Sequence, residues 1–231
     1  MSKQRTSRTE LQRLPIPFIC RRLRNVYGPV ERPSLLPPLD ELIATVLSQN
    51  TSDRNSHAAF DALRRRFPDW EAVRKSRIQT IVRTIKSGGL AQQKAPRIKA
   101  ILEEIQRRHG RLSLDFLRTM PSGEALRYLL SFDGVGRKTA ACVLLFSCQK
   151  PVLPVDTHVH RLSRRLGLID EKTTAEKAHD KLADLVPSRL VLEFHIQFIR
   201  HGRTVCSARN PACNGCVLLE CCQEGQQSLR P

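Results

Sequence analysis

The most restrictive feature of this sequence is a tight glycine turn that precedes an apolar run, in the stretch from Ser131 to His160. The stretch reads SFDGVGRKTAACVLLFSCQKPVLPVDTHVH, with Gly134 and Gly136 one residue apart. Glycine favours a sharp reversal, because a residue without a Cβ can adopt positive φ and can let another backbone come close. The run from Ala140 to Phe146 is typical of a helix. The turn therefore predicts a helical hairpin, which is common to helical proteins of many functions.

The remaining segments also predict helices. Apolar residues recur at helical spacing from Leu39, and capping residues and prolines mark where helices begin and end. No run shows the sustained alternation of a strand, so the fold class is all-α, with roughly ten short helices. Seven of the predicted helices have both bounds: 17–27, Asp69 to 73, 78–85, 94–109, 157–166, 174–185 and 188–202. Three others are predicted by one bound only: one begins at 39, one ends at Phe67 and one begins at 121.

The charge of the chain points to a polyanionic partner. Lys and Arg number 39 against 22 Asp and Glu, which gives a net charge of +17. Attraction to nucleic acid is the first expectation, and a basic protein without such a partner is the alternative. No apolar run approaches the roughly 20 residues that span a bilayer, so we expect no membrane association. The basic N-terminal arm has no apolar signal region, which favours a cytoplasmic, nucleoid-associated protein of a prokaryote.

Most of the eight cysteines crowd one end of the sequence. Cys20, Cys142 and Cys148 lie in apolar segments, whereas the spacing Cys206-x6-Cys213-x2-Cys216-x5-Cys222 gathers four others, with Cys221 beside the last. Without a secretory signal, a metal site is a better interpretation than disulfides. Four thiolates can hold either an iron–sulfur cluster or Zn²⁺. Zinc is the second choice, because zinc ribbons usually pair two C-x-x-C units and this loop has one.

Lys138 and Asp156 are the candidate reactive groups. Backbone N–H groups at a glycine turn and helix start suit a DNA phosphate, a contact that positions a protein without reading sequence. A lysine at that helix start, next to Arg137, is favoured as a neutral amine, the form that attacks carbon. Each residue also has a structural interpretation, as part of a basic helix face for Lys138 and as a helix N-cap for Asp156.

The segments FDGVGRKTA and VDTHV resemble the helix-hairpin-helix and catalytic signature of the endonuclease III family of DNA glycosylase/AP lyases. The usual family form is LPGVGRKTA, from which Phe132 and Asp133 depart. The resemblance implies that Lys138 attacks C1′ of the damaged nucleotide, expels the base and forms a Schiff base that leads to β-elimination. It implies that Asp156 accepts a proton or stabilises the cationic sugar, while His158 has no clear assignment.

The resemblance extends over residues 33–222 and implies the architecture and the cofactor. Two lobes are expected, a six-helix barrel module over 33–150 and a second lobe of 1–32 with 151–231, with DNA in the cleft between them. The cysteine spacing equals that of the family's [4Fe–4S] loop (206–222), whose ligands would be Cys206, Cys213, Cys216 and Cys222. Arg209, within this loop, is expected to touch the DNA backbone.

Two further loops resemble the family's DNA wedges, which fill the gap left by an extruded base. Leu90 corresponds to the apolar wedge, and Lys94 is expected to contact a phosphate. In LSQNTSD, Asn50 aligns with the family's wedge glutamine, with Gln49 just before it. Together with Gly134, Gly136 and Arg137, these residues form the predicted DNA-binding set.

The hypothesis from the sequence is a monomeric, bifunctional glycosylase/AP lyase that acts on oxidised pyrimidines in double-stranded DNA and on abasic sites. Glycosylases directed at T or U opposite G are the alternative, although those relatives usually carry tyrosine at the position of Lys138. An adenine glycosylase is a further alternative, although that branch of the family generally lacks the lysine. A non-catalytic iron–sulfur DNA-binding protein is the alternative from another class.

Overall fold

The computed structural model describes residues 16–32 and 34–228, and the predicted basic arm lies outside them. In these residues all regular structure is helical, which confirms the all-α prediction. The α-helices are Ile16–Tyr27 (α1), Pro38–Ser48 (α2), Asp53–Arg66 (α3), Trp70–Lys75 (α4), Ile78–Thr84 (α5), Ala91–His109 (α6), Ser122–Leu130 (α7), Arg137–Cys142 (α8), Thr157–Arg165 (α9), Ala175–Leu185 (α10), Val191–Thr204 (α11) and Gln223–Ser228 (α12). Short 3₁₀ helices cover Lys86–Gly88, Asp115–Arg118, Ser188–Leu190, Cys213–Gly215 and Leu219–Cys221, and a π-helical turn covers Val143–Ser147.

Side-chain caps set several of the helix starts. The side chains of Ser52, Asp69 and Thr174 each accept a backbone N–H three residues later, at the beginnings of α3, α4 and α10. These bonds satisfy donors that would otherwise have no partner in the first turn of a helix. Gly110 ends α6 in the left-handed region, with φ of 67°.

The chain divides into two compact units. The central unit is Arg32–Pro154, and the terminal unit combines Met1–Glu31 with Val155–Pro231. The central unit has one apolar core, to which α2 to α8 and the π-helical turn all contribute buried side chains. Trp70 donates from Nε1 to Asp40 Oδ1 at 2.7 Å, which ties α4 to the start of α2.

The terminal unit is built around α11. Both α1 and α9 pack against this helix, and the rings of Phe194 and Phe198 are stacked at its centre with 3.8 Å between centroids. Arg24 of α1 forms an ion pair with Glu193 of α11 at 2.5 Å. Among the helices of the described residues, none is long and apolar enough to cross a membrane.

Candidate functional site

The two glycines of the turn differ in backbone conformation and in the space around them. Gly134 has φ of +73°, and a Cβ there would lie 2.0 Å from Nε of Arg97. Gly136 has φ of −85°, so the positive φ that we expected at the turn is confined to Gly134. Apart from Gly136 itself and its two chain neighbours, no atom of the described chain lies within 4 Å of the position of a Cβ on Gly136. The space at Gly136 is therefore open to a group from outside the chain.

Lys138 is the second residue of α8, directly after this turn. Its side chain is half-buried, and α8 packs against α2 within the central unit. The next residue, Thr139, accepts a hydrogen bond at Oγ1 from Gln49 Nε2 at 3.2 Å. The helix continues into the π-helical turn, a feature that often marks functional sites.

Asp156 caps α9, as its structural interpretation predicts. Its Oδ1 accepts the backbone N–H of Val159 at 2.7 Å, which fixes the orientation of the carboxylate. His158 packs against α11, since a Cβ on Gly202 would lie 2.6 Å from its Nδ1, and it bonds Arg161 at 3.0 Å. These contacts give His158 a packing role in the terminal unit.

The two predicted wedge residues share an unusual backbone conformation. Asn50 has φ of 52° and Leu90 has φ of 49°. Both side chains are exposed, and 45% of the surface of Leu90 is accessible. The loops are neighbours, because a Cβ on Gly89 would lie 3.8 Å from Oγ1 of Thr51. A leucine in the left-handed region is strained, and such strain is concentrated at functional positions in proteins.

Two other residues of the predicted DNA-binding set make internal contacts. Gln49 accepts a hydrogen bond from Arg97 at 2.9 Å in addition to its bond with Thr139. Lys94 is 2% exposed, and its Nζ donates to the carbonyls of Leu47 and Gly88 at 2.7 Å each. This geometry corrects the expected phosphate contact, because an enclosed ammonium bonded to two carbonyls braces the wedge loops. Burial also lowers the pKa of Lys94.

The four predicted cysteine ligands line one cavity of the terminal unit. Its wall also includes Leu162, Leu166, Val205, Leu218 and His201. Hydrogen-bond donors approach the sulfurs: Leu218 N–H lies 3.4 Å from Cys216 Sγ, and Gly225 N–H lies 3.3 Å from Cys222 Sγ. Arg165 donates to Cys206 Sγ at 3.2 Å. Donors to sulfur and an apolar shell are the surroundings that tune iron–sulfur clusters.

The neighbouring residues of the loop are arranged differently. Cys221 donates to the carbonyl of Leu218 at 3.1 Å and does not line the cavity. Arg209 is exposed on the segment between the first two cysteines. Within the described residues, no group of three or more His, Cys, Asp or Glu is arranged to hold a metal ion.

Sequence reasoning missed Arg97 and Glu41. Arg97 fills the space beside Gly134 and bonds Gln49, so it joins the hairpin to the end of α2. Glu41, near the beginning of α2, accepts a hydrogen bond at Oε1 from Thr45 Oγ1 at 3.2 Å, and burial raises the pKa of its carboxyl group. The sequence contained no signal that singles out Glu41, because α2 also carries other polar residues.

Comparisons with known proteins agree with this geometry. Residues 43–188 match the model of the HhH-GPD superfamily base excision DNA repair protein. Endonuclease III of Thermotoga maritima is 36% identical over 186 residues, which cover 80% of this chain and 83% of that protein. A candidate DNA glycosylase of Arabidopsis thaliana is 38% identical over 169 residues, and the match spans 73% of this chain but only 57% of that relative.

A solved structure has the same fold. It is a trapped covalent intermediate of endonuclease III with DNA, with a TM-score of 0.80 and 26% identity over 96% of this chain and 100% of that one. The family resemblance inferred from the sequence motifs is confirmed by these matches. The chain belongs to the HhH-GPD superfamily of base excision DNA repair proteins and is an endonuclease III-like member of it.

Proposed function

We propose that this protein is a bifunctional DNA glycosylase and AP lyase that excises oxidised pyrimidines from double-stranded DNA. The observation that carries the proposal is the position of Lys138, in the first turn of a helix that follows a glycine turn with open space at Gly136. A phosphate bound at the turn would place a nucleotide beside this amine. That the endonuclease III of the solved structure forms a covalent intermediate with DNA supports the same chemistry here.

In the proposed reaction, the neutral amine of Lys138 attacks C1′ of the damaged nucleotide. The glycosidic bond breaks, the base leaves with the bonding electrons, and the sugar ring opens to a Schiff base. Loss of a proton from C2′ then expels the 3′ phosphate by β-elimination, which cuts the strand on the 3′ side.

Asp156 would stabilise the positive charge that develops on the sugar or accept a proton from it. The bond from Val159 N–H holds its carboxylate in one orientation, and an oriented charge stabilises a transition state without reorganising. The N-cap role and the catalytic role are thus compatible in the same side chain.

Extrusion of the damaged base would depend on the paired loops that carry Asn50 and Leu90. Both side chains are exposed, and the backbone of each residue is in the left-handed region. An apolar side chain that enters the base stack fills the gap and stabilises the extruded state. Arg137 and Arg209 would add phosphate contacts.

A [4Fe–4S] cluster would be held by Cys206, Cys213, Cys216 and Cys222, which line one cavity with donors directed at their sulfurs. Bound there, such a cluster supplies four metal–thiolate bonds that tie the cysteine loop together. The residues of the loop then present Arg209 on a fixed backbone.

The test is borohydride trapping on duplexes that carry thymine glycol, an abasic site or a G·T mismatch. We expect wild-type protein to cut and to be trapped on the first two. Lys138→Ala should lower trapping by at least about 10³-fold, the scale seen when a nucleophile is removed. Lys75→Ala, on an exposed lysine of the same unit, is the matched control and should be trapped normally.

The outcomes separate the alternatives. Trapping of Lys138→Ala at the wild-type rate would remove the assignment of the nucleophile. Preference for the G·T duplex would favour the mismatch-directed alternative. Tight binding to every duplex without any product would favour a non-catalytic DNA-binding protein.

A further inference from the structure

The side chain of Gln49, directly after α2, forms hydrogen bonds at both ends of its amide. Its Oε1 accepts from Nη1 of Arg97 at 2.9 Å, and its Nε2 donates to Oγ1 of Thr139 at 3.2 Å. A guanidinium only donates, so a flipped amide would place two donors against each other. Arg97 therefore fixes the orientation of the amide, which bridges α6 and the first turn of α8.

Arg97 is itself held against the hairpin. The position of a Cβ on Gly134 lies 2.0 Å from its Nε, 2.5 Å from its Cδ and 2.6 Å from its Cζ. The guanidinium therefore occupies the space that only a glycine leaves free at this turn. One side chain thus contacts both the hairpin and the Gln49 amide.

This amide bridge connects one wedge loop to the proposed nucleophile. Gln49 directly precedes the wedge residue Asn50, and Thr139 directly follows Lys138. Thr139 is only 4% exposed, so its side chain is enclosed and holds a defined position. A single amide thus separates the backbone that carries the wedge from the backbone that carries the amine.

The other wedge loop is joined to the same bridge through α6. Leu90 directly precedes this helix, and Arg97 lies about two turns into it. Between them, Lys94 donates to the carbonyls of Leu47, on α2, and Gly88, in the Leu90 loop, at 2.7 Å each. Both wedge loops are therefore connected to the beginning of α8, one through Gln49 and the other through α6.

We propose that Gln49 is a positioning residue that keeps both wedge loops in register with Lys138. Attack on C1′ requires the extruded nucleotide and the amine to meet in one geometry, and small misplacements slow such reactions strongly. In this assignment Gln49 acts through Lys138 and the wedge residues and does not contact DNA, so Asn50 is the amide that faces the duplex. The inference rests on the proposed function, because it positions the nucleophile proposed there.

The loss of the bridge distinguishes positioning from a purely structural role. A bridge that served only to satisfy polar groups would affect stability and would slow every reaction of Lys138 alike. A positioning bridge matters most where base extrusion and attack have to coincide. The two roles therefore differ in how the variants act on two substrates.

The experiment compares two single-turnover rates: excision from a thymine glycol duplex, and borohydride trapping on a duplex with a preformed abasic site. The second substrate has no base to extrude. Gln49→Met keeps the length of the side chain without its hydrogen bonds, and Gln49→Glu keeps acceptors for Arg97 and for the Thr139 hydroxyl. Gln79→Met, on an exposed glutamine of α5, is the matched control.

We expect Gln49→Met to excise thymine glycol more slowly by about 10²-fold, the effect of a small misplacement of reacting groups. It should be trapped on the abasic duplex at nearly the wild-type rate. Gln49→Glu should recover most of the excision rate, and Gln79→Met should equal wild type on both substrates.

A double-mutant cycle with Leu90→Ala tests the connection to the wedge. Loss of the leucine should slow excision less in the Gln49→Met background than in wild type, because the wedge is already out of register. Thr139→Val removes the same bond from the α8 side and keeps the side-chain volume, so it should show the same difference between the two substrates. It also replaces Gln49→Met if that variant does not fold.

Equal slowing on both substrates, wild-type excision by both Gln49→Met and Thr139→Val, or additive effects in the cycle would overturn the inference. Thermal unfolding and binding to an uncleavable abasic analogue show whether each variant is folded and bound. If wild-type protein binds these duplexes and gives neither product nor trapped complex, the proposed function fails, and the inference fails with it. Wild-type activity together with unaffected bridge variants overturns the inference alone.

Discussion

At the scale of single residues, the two glycines of the turn allow stability and DNA binding to be separated. We expect Gly134→Ala to destabilise the central unit, because an L-residue in the left-handed region costs roughly 1–2 kcal/mol. The added methyl would also displace Arg97, whose Nε lies 2.0 Å from the Cβ position, and would break its bond to Gln49. Urea unfolding monitored by circular dichroism measures the change.

Gly136→Ala is the matched variant. Its φ is accessible to alanine and the space around it is open, so the loss of stability should stay below about 1 kcal/mol, the scale of a changed N-cap. Its DNA affinity should fall more, because the methyl occupies the space that a phosphate would approach. Equal DNA affinity for Gly136→Ala and wild type would contradict the assignment of the turn to a phosphate.

Lys94 shows why some site residues could not be predicted from their type. A lysine in the first turns of an amphipathic helix is expected at the surface, because burying an ammonium is unfavourable unless it is bonded. Here two carbonyls from separate segments, at Leu47 and Gly88, satisfy it. Those carbonyls meet only after the chain has folded, and the sequence around Lys94 contains no sign of them.

At the scale of elements, each of the two wedge loops holds a residue in the left-handed region. Leu90 precedes α6 with φ of 49°, a conformation in which glycine is relaxed and leucine is not. We expect Leu90→Gly to raise the free energy of unfolding by about 1 kcal/mol. The same variant should excise a damaged base more slowly, because no apolar side chain fills the gap in the duplex. Chemical denaturation measures the expected gain in stability, and single-turnover excision rates on the same preparation measure the expected loss of activity.

Leu90→Ala is the control that separates strain from the wedge. Alanine keeps a Cβ in the left-handed region, so it should keep the strain and show no gain in stability. Its excision rate should fall like that of Leu90→Gly, since both lack the apolar wedge. A Leu90→Gly protein as active as wild type would show that this loop does not act on the duplex.

Helix boundaries were predictable where local chemistry sets them. Asp69 and Thr174 cap the helices that were expected to follow them. The π-helical turn at Val143–Ser147 was not predictable, because its apolar residues suit an α-helix equally well. The beginning of α6 was also misjudged, since it starts at Ala91, where the Lys94 bonds and the αL residue Leu90 fix the first turn.

At the scale of the whole molecule, the two ends of the sequence fold together. Tyr27 of α1 shares hydrogen bonds with His201 and Thr204 of α11, each at 2.9 Å. Arg22 forms an ion pair with Glu220 of the cysteine loop at 2.6 Å, although such an exposed pair contributes little free energy. These partners lie more than 170 residues apart in the sequence. Pairings over such separations depend on how the terminal unit folds, which is why sequence patterns predicted the helices and not these contacts.

The cysteine loop of the terminal unit contains little regular structure, so its order should depend on the proposed cluster. We expect Cys213→Ser to lose iron, acid-labile sulfide and the broad visible absorption of an iron–sulfur protein. It should also unfold at lower temperature, because a loop of short 3₁₀ turns cannot replace the metal–thiolate bonds.

Cys221→Ser is the matched control, one residue from a proposed ligand. Its Sγ bonds the carbonyl of Leu218 and lies outside the cavity, so iron content should equal that of wild type. Iron and sulfide analysis of both variants, with their thermal unfolding, measures the difference. A colourless wild-type protein that contains zinc would replace the cluster with a single ion. That result would leave the lyase proposal intact, because Lys138 and its glycine turn belong to the other unit.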